Sequence, residues 1–282
     1  MVIHHDIDLY KYSTMRLHSI CETMYVPHNV EELCDTINTL VKEGKDYYLV
    51  AAGSNIVFSE KVVTPLINLM ELDDTITYLG DNRVRVGCSV RIQKLINSNK
   101  EYKLGGIEYL YSVPTSVGGA TYMNAGRGKR YGLAIADYIE DVEYLDVNDM
   151  KVKTHYGKEG YSYRHSPFQD MNVVILSTTF RFKDQSSEET AKLVSERLAH
   201  SQKYLSADKP SCGTVFCQCN PLIMRLLRGR KYGGAMYSKK TSDWISNMGN
   251  ATASDIKKLI DIAIKMHKFF RLSYKLEVRF YK

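Results

Sequence analysis

Two stretches of the chain place small residues where backbone could approach an anion. Ala51-Ala52-Gly53-Ser54-Asn55 closes an apolar run, and a glycine there leaves no Cβ between backbone N–H groups and a ligand. Alone, it reads as a plain turn after a strand. The second stretch is Val113-Pro114-Thr115-Ser116-Val117-Gly118-Gly119-Ala120, followed by Asn124, Gly126 and Gly128. Here Gly118 and Gly119 allow close backbone approach, Ser116 offers a hydroxyl to a phosphate, and Asn124 and Gly126 open a second turn. The spacing is not the Gly-x-Gly-x-x-Gly fingerprint of nucleotide-binding sheets. Two such turns fit a long ligand with two phosphates; two unrelated turns fit the composition equally well.

Three further segments carry polar groups suited to catalysis. In Gly160-Tyr161-Ser162-Tyr163-Arg164-His165-Ser166-Pro167-Phe168, an arginine between aromatics with a following serine can hold a carboxylate through two parallel hydrogen bonds. A surface arginine is the simpler alternative. Gly213, in Pro210-Ser211-Cys212-Gly213-Thr214-Val215-Phe216, permits a tight turn that projects Thr214. Glu277 and Arg279 alternate along an expected final strand, so both face one way. They serve chemistry or a structural ion pair.

These groups need a scaffold, and hydropathy periodicity supplies one. Asn29 caps an expected helix with Val30, Leu33, Ile37, Leu40 and Val41 on one face, closed by Gly44. A buried strand over 46–52 and an apolar run over 62–69 follow. Residues 75–79 and 83–87 read as a hairpin, with a short helix after it carrying Val90, Ile92, Leu95 and Ile96. Strands are expected over 142–147, 151–154 and 173–182, and a polar linker over 185–189. Beyond it come a helix over 188–205, an irregular stretch to about 237, a helix opened by the Thr252/Asp255 capping box, and a strand over 274–281.

Bulk properties narrow the function classes. The 282 residues include 38 basic and 32 acidic side chains, a net charge of +6 spread along the chain. That balance fits small anionic ligands, whereas nucleic-acid binding would call for a concentrated basic stripe. Residues 1–10 carry charges and histidines where a secretion signal needs an apolar stretch, and no run approaches a membrane span. A cytoplasmic protein with no membrane or nucleic-acid partner is expected. The six cysteines, Cys21, Cys34, Cys88, Cys212, Cys217 and Cys219, lack zinc-like spacing, so reduced thiols and no metal are expected.

Taken in order, the segments resemble a known family. Gly53-Ser54-Asn55, Gly106-Ile107-Glu108-Tyr109-Leu110, Pro114 to Gly126, Tyr163-Arg164-x-Ser166-x-Phe168, Pro210 to Phe216, Gly249 to Asp255 and Glu277-Val278-Arg279 follow one another as in the UDP-N-acetylenolpyruvoylglucosamine reductase family. The likeness runs from about Thr14 to Arg279. It implies an α+β fold: a two-subdomain FAD-binding domain of the vanillyl-alcohol-oxidase/PCMH type plus a C-terminal α/β substrate domain. The expected boundaries are 1–72, 73–185 and 186–282. It also implies non-covalent FAD, NADPH as hydride donor, a nucleotide-sugar substrate and a monomer.

By resemblance, Ala52, Gly53, Ser54, Asn55, Pro114, Thr115, Ser116, Val117, Gly118, Gly119, Asn124 and Gly126 surround the cofactor. Arg164 takes the place of the cation beside the substrate carboxylate, Thr214 that of the proton-donating serine, and Glu277 that of the second catalytic position, an acid or its proton-sharing partner. The chain departs from the family pattern in its second half. Thr214 replaces serine, Cys217-Gln218-Cys219 follows Phe216 where a Lys or Arg and then Pro is usual, and Thr241-Ser242-Asp243-Trp244 stands for His-Ala-Asn-Phe. Leu17-His18 replaces a Gly-Gly pair. Three functions stay open at this level: the reductase itself, a paralogue acting on another enolpyruvyl or nucleotide sugar, and a flavin-holding protein with impaired catalysis.

Overall fold

The computed structural model describes residues 1–205 and 208–282, with backbone alone at 129 and 130. The chain divides into two compact units: Met1–Val2, Tyr25–Ala51 and Ile67–Leu198 form the first, and Ile3–Met24, Ala52–Leu66 and Ala199–Lys282 the second.

The first unit is organised by an antiparallel sheet. Its strands run in the order Lys151–Tyr156, Ile139–Asp146, Val173–Arg181, Arg83–Gly87, Ile76–Gly80. The expected hairpin and the expected strands in the middle of the chain are all here. The central strand, Val173–Arg181, is buried at every position except its last residue. It can therefore serve two cores. Val174 and Leu176 join Leu33, Ile37 and Leu40 of the Val30–Lys42 helix on one face. Val173, Ile175 and Phe180 join Leu95, Ile96, Val117 and Ala120 on the other. Each fully buried aliphatic side chain contributes roughly 1.5–3 kcal/mol.

Strict alternation would send Phe180 to the wrong face. A β-bulge corrects this: Tyr144 pairs with Ile175 and Glu143 with Ser177, which leaves Leu176 as the extra residue. Beyond it, Ser177 turns to Glu143, donating its hydroxyl at 2.7 Å, beside Arg85 at 2.7 Å. Thr178 and Phe180 turn to the face that carries the glycine-rich helix.

The helix expectations hold at their ends. Asn29 accepts from the Glu32 N–H at 2.8 Å, and Gly44 adopts φ +65°. The expected strand over 46–52 is shorter, Tyr48–Val50, and the run over 62–69 is split into Lys61–Val62 and Leu66–Asn68 around Pro65, which has no N–H to pair. The segment expected as a polar linker already contains the start of a helix, Ser187–Tyr204, and Gln185 bonds both Glu108 and Thr190.

In the second unit, an antiparallel sheet runs Ser211–Thr214, Trp244–Asn247, Ala235–Tyr237, Lys231–Tyr232. The Ala253–Phe269 helix covers it, burying Ile256, Leu259, Ile260 and Ala263 against Tyr237, Ile245, Val215 and Val278. Its capping box forms as expected: Thr252 Oγ1 accepts from the Asp255 N–H at 3.1 Å, and Asp255 returns the bond to Thr252. The Asp255 carboxylate also accepts from the Gly234 N–H at 3.0 Å, tying the helix to the sheet. Thr252→Ala is therefore expected to cost about 1 kcal/mol and Asp255→Ala about 2 kcal/mol, since it strands two donors; urea midpoints measure both.

One expectation fails in this unit. The final strand is not continuous: Lys275–Leu276 and Arg279–Tyr281 are separate, and at the break the N–H groups of Glu277 and Val278 both point to the Val215 carbonyl. Arg279–Tyr281 instead pairs in parallel with Ile56–Phe58. The alternation argument for Glu277 and Arg279 thus loses its premise. Among the described residues, no helix is long and apolar enough to cross a membrane.

Candidate active site

In the first unit, Pro114 to Gly119 form the entry to a short helix, Val117–Tyr122, capped by Ser116. The glycines have specific packing reasons. Gly118 lies on the strand end at Cys88, where a Cβ would come within 2.9 Å of the Cys88 Cβ, and its N–H donates to the Cys88 carbonyl at 2.9 Å. Val117 likewise donates to Val90 at 2.8 Å. These two N–H groups thus bind protein. The Gly119 N–H does too, donating to Ser116 Oγ at 3.3 Å. The space a Cβ would occupy is bounded by Thr115 Oγ1 at 3.0 Å, Ser116 Oγ at 3.5 Å and the Ala51 methyl at 3.9 Å. A side chain would fill that narrow slot, which two buried hydroxyls line.

Asn124 sits at φ +43° and uses its whole side-chain amide locally. Nδ2 donates to the Ser162 carbonyl at 2.8 Å and Oδ1 accepts from the Ala136 N–H at 3.3 Å. Gly126 lies so near the Leu133 carbonyl that a Cβ would overlap it. The Arg164 loop is fastened to this same helix. Ser166 Oγ donates to the Tyr122 carbonyl at 2.7 Å, and Gln169 Nε2 donates to the carbonyls of Tyr122 at 2.9 Å and Arg164 at 3.1 Å. Ser166 is fully buried in that role, so it does not assist Arg164 in binding a carboxylate, as expected from the sequence. Gln169 carried no sequence signal at all.

Arg164 itself occupies a two-residue turn closed by reciprocal bonds between Ser162 and His165, 3.0 Å each. Its φ of +57° is uncommon for a side chain of this size. The guanidinium lies 5.8 Å from the Tyr163 ring centre.

In the second unit, Gly53 packs on the 12–14 segment. It adopts φ +66°, a Cβ there would overlap the Tyr12 carbonyl oxygen, and its own carbonyl accepts from Thr14 at 3.1 Å. Ala52 and Ser54 flank it, partly exposed. Asn55 reaches the catalytic candidates: its Nδ2 donates to the Glu277 carbonyl at 2.9 Å, and its carbonyl accepts from Arg279 at 3.0 Å. Glu277 in turn donates its N–H to Val215 at 2.9 Å. Thr214 stands on the edge strand just past a bulge, since Ser211 pairs with Ser246 and Thr214 with Trp244. Gly213, at φ +76° with open space around it, makes that bulge possible.

Asp243 belongs to this cluster although its spacing gave no hint. Its carbonyl accepts from Val215 at 3.0 Å, and its carboxylate Oδ2 from the Phe216 N–H at 3.3 Å and the Cys219 thiol at 3.9 Å. Burial pushes its carboxyl up to about 8; the Phe216 bond pulls the other way and the Glu277 charge adds to the rise. Burial also raises the Cys219 thiol to about 12, so it is a poor nucleophile at neutral pH. Asn220 caps the Pro221–Leu226 helix through bonds from Leu222 and Ile223. All six cysteines are free thiols.

The fold and the hydroxyl-lined glycine helix define a class, the FAD-binding α+β proteins of the vanillyl-alcohol-oxidase/PCMH type: residues 22–154 match the family described as "FAD binding domain". The chain is 31% identical over 267 residues to the UDP-N-acetylenolpyruvoylglucosamine reductase of Fervidobacterium nodosum, covering 91% of this chain and 84% of that one. It is 34% identical over 269 residues to the protein of that name from Francisella tularensis, covering 90% and 91%. The crystal structure of UDP-N-acetylenolpyruvylglucosamine reductase (MurB) from Thermus caldophilus matches it with a TM-score of 0.78 at 25% identity, over 100% of both chains. The chain belongs to the UDP-N-acetylenolpyruvoylglucosamine reductase family.

Proposed function

We propose that this protein is a cytoplasmic, monomeric NADPH-dependent flavoenzyme that reduces the enolpyruvyl ether of UDP-N-acetylglucosamine enolpyruvate to UDP-N-acetylmuramate, a peptidoglycan precursor. The observation that carries this is the match to reductases of that name over about nine-tenths of the chain. The cofactor would be held by Ala52, Gly53, Ser54, Asn55, Pro114, Thr115, Ser116, Val117, Gly118, Gly119, Asn124 and Gly126. The Gly119 slot, lined by Thr115 and Ser116, would take a phosphate group. Asn124 and Gly126 would act chiefly by shaping the loop, given the bonds their own unit makes with them. FAD, when bound, supplies hydride chemistry that no side chain can.

The protein's own groups do the rest. Hydride arriving at the β-carbon drives negative charge through the α-carbon toward the substrate carboxylate. The Arg164 guanidinium stabilises that charge through paired hydrogen bonds. The Thr214 hydroxyl gives its proton to the α-carbon, with Glu277 as the second acid or its proton-sharing partner. Residues 1–72, 73–185 and 186–282 serve as two cofactor subdomains and a substrate domain.

A purified protein with a flavin absorbance spectrum, bleached anaerobically by NADPH and recoloured by the enolpyruvyl sugar nucleotide, is the expected result. Recolouring by a different enolpyruvyl sugar only would favour a paralogous substrate, the reading that Asp243 and Cys217 make worth including in the same assay. A colourless protein that takes up no FAD would end the proposal. Thr214→Ser is expected to keep or raise kcat, because loss of the methyl frees χ1, and Thr214→Val to lower it at least tenfold. Equal turnover in Thr214→Val would remove Thr214 as the donor.

A further inference from the structure

We propose that Asp243 is a positioning residue for this reaction: it keeps a proton beside Glu277 and the Thr214 turn, so that it adds no negative charge there. The inference rests on the function proposed above and on the geometry around Val215. That residue, directly after Thr214, donates its N–H to the Asp243 carbonyl and accepts from the Glu277 N–H through its own carbonyl. Both acids therefore flank Val215, one at the peptide before it and one at the peptide after it. On Asp243, both donors fall on Oδ2, from Phe216 and Cys219, while Oδ1 is buried with no hydrogen-bond partner among the described residues. An ionised carboxylate would leave that oxygen charged and unsolvated, a costly state. A proton on Oδ1 removes the charge and so lowers that cost.

The surroundings favour the neutral form. Glu277, Cys219, Cys217, Cys212 and Tyr237 interact electrostatically with Asp243, while the nearby cation Lys275 acts on Cys217. Burial among such groups disfavours the ionised form of Asp243. Protonated, Asp243 adds no charge near the donor turn. Ionised, it adds a negative charge where the reaction itself develops one, and the transition state is disfavoured.

Asp243→Asn keeps the shape and removes the titration. In the parent, kcat/KM is expected to fall about tenfold per pH unit above the Asp243 titration, near pH 8. In Asp243→Asn that alkaline limb moves up by at least one unit. Two readouts need no turnover. Infrared difference spectra of the FAD-loaded parent between about pH 6 and 10 should lose one protonated-carboxyl band that Asp243→Asn lacks throughout.

The second readout is stability. The folded value lies above the ordinary 3.8, so the stability tied to this proton is complete below about pH 4 and is lost up to about pH 8. The variant's Tm should accordingly rise relative to the parent across that window, by several degrees, and hold a constant gap above it. Superimposable pH profiles in parent and variant, or no assignable carboxyl band in the parent, overturn the inference even if the enzyme is active. Lack of FAD uptake or of substrate turnover overturns the proposed function and with it the positioning role, whereas the band and the Tm gap still decide whether Asp243 holds the proton.

Discussion

Arg164→Lys is expected to lower kcat by about 100-fold while FAD remains bound. The loss corresponds to about 2.7 kcal/mol of transition-state stabilisation. A guanidinium presents two parallel donors to a carboxylate; an ammonium is a compact point charge on a flexible stem. The structure adds a reason why the stem cannot compensate. Arg164 is fixed at φ +57° in a turn closed from both sides, and its carbonyl is held by Gln169, which also grips the glycine-rich helix. The backbone therefore cannot shift to bring a shorter-reaching cation into line. Steady-state kinetics with an absorbance check of flavin content measure both halves of the prediction. Unchanged turnover would take Arg164 out of the mechanism, and loss of flavin would show that it supports the fold.

The largest effect on stability is expected at Gly53. Gly53→Ala places a methyl on the Tyr12 carbonyl oxygen and imposes a left-handed conformation at φ +66°. The conformation alone costs about 1–2 kcal/mol, and the overlap forces apart backbone segments joined by the bond from Thr14 to Gly53. A total above about 3 kcal/mol is expected, enough to lower Tm by roughly 10 °C in a chain of this size. Gly44→Ala is the matched control. Gly44 has nearly the same φ, +65°, with nothing within 4 Å of the added methyl, so only the conformational cost applies. Equal Tm losses in the two variants would show that the Tyr12 contact is unimportant.

How far the molecule could be read beforehand depended on the range of the forces involved. Caps and periodic helices were legible because their determinants lie within a few residues: Asn29 with Glu32, Thr252 with Asp255. The hairpin at 76–87 was legible for the same reason. The break at Glu277 was not, because it is set by the carbonyl of Val215, far away in the chain. Ser166 looked like a ligand contact and turned out to be a buried tether, since its partner, the Tyr122 carbonyl, is defined only once the helix forms. Within the candidate site, Thr214 was found through the glycine before it. Asp243 was invisible, because an aspartate shows its unusual chemistry only when burial and a second carboxyl are both in place. Glycine spacing located both turns, yet it could not tell Gly118 and Gly53, demanded by protein backbone, from Gly119, which opens a slot.

The extra residue at Leu176 has an evolutionary corollary. Because parity along a strand is binary, removing that one residue would carry Thr178 and Phe180 to the opposite layer and bring Thr179 and Arg181 into their former places. Thr121, whose hydroxyl lies 3.0 Å from that of Thr178, would lose that contact at the base of the glycine-rich helix. Point substitutions in the strand can be absorbed one at a time, but a change of length here cannot. Descendants of this sequence should therefore vary in what fills position 176 far more freely than in whether the position exists.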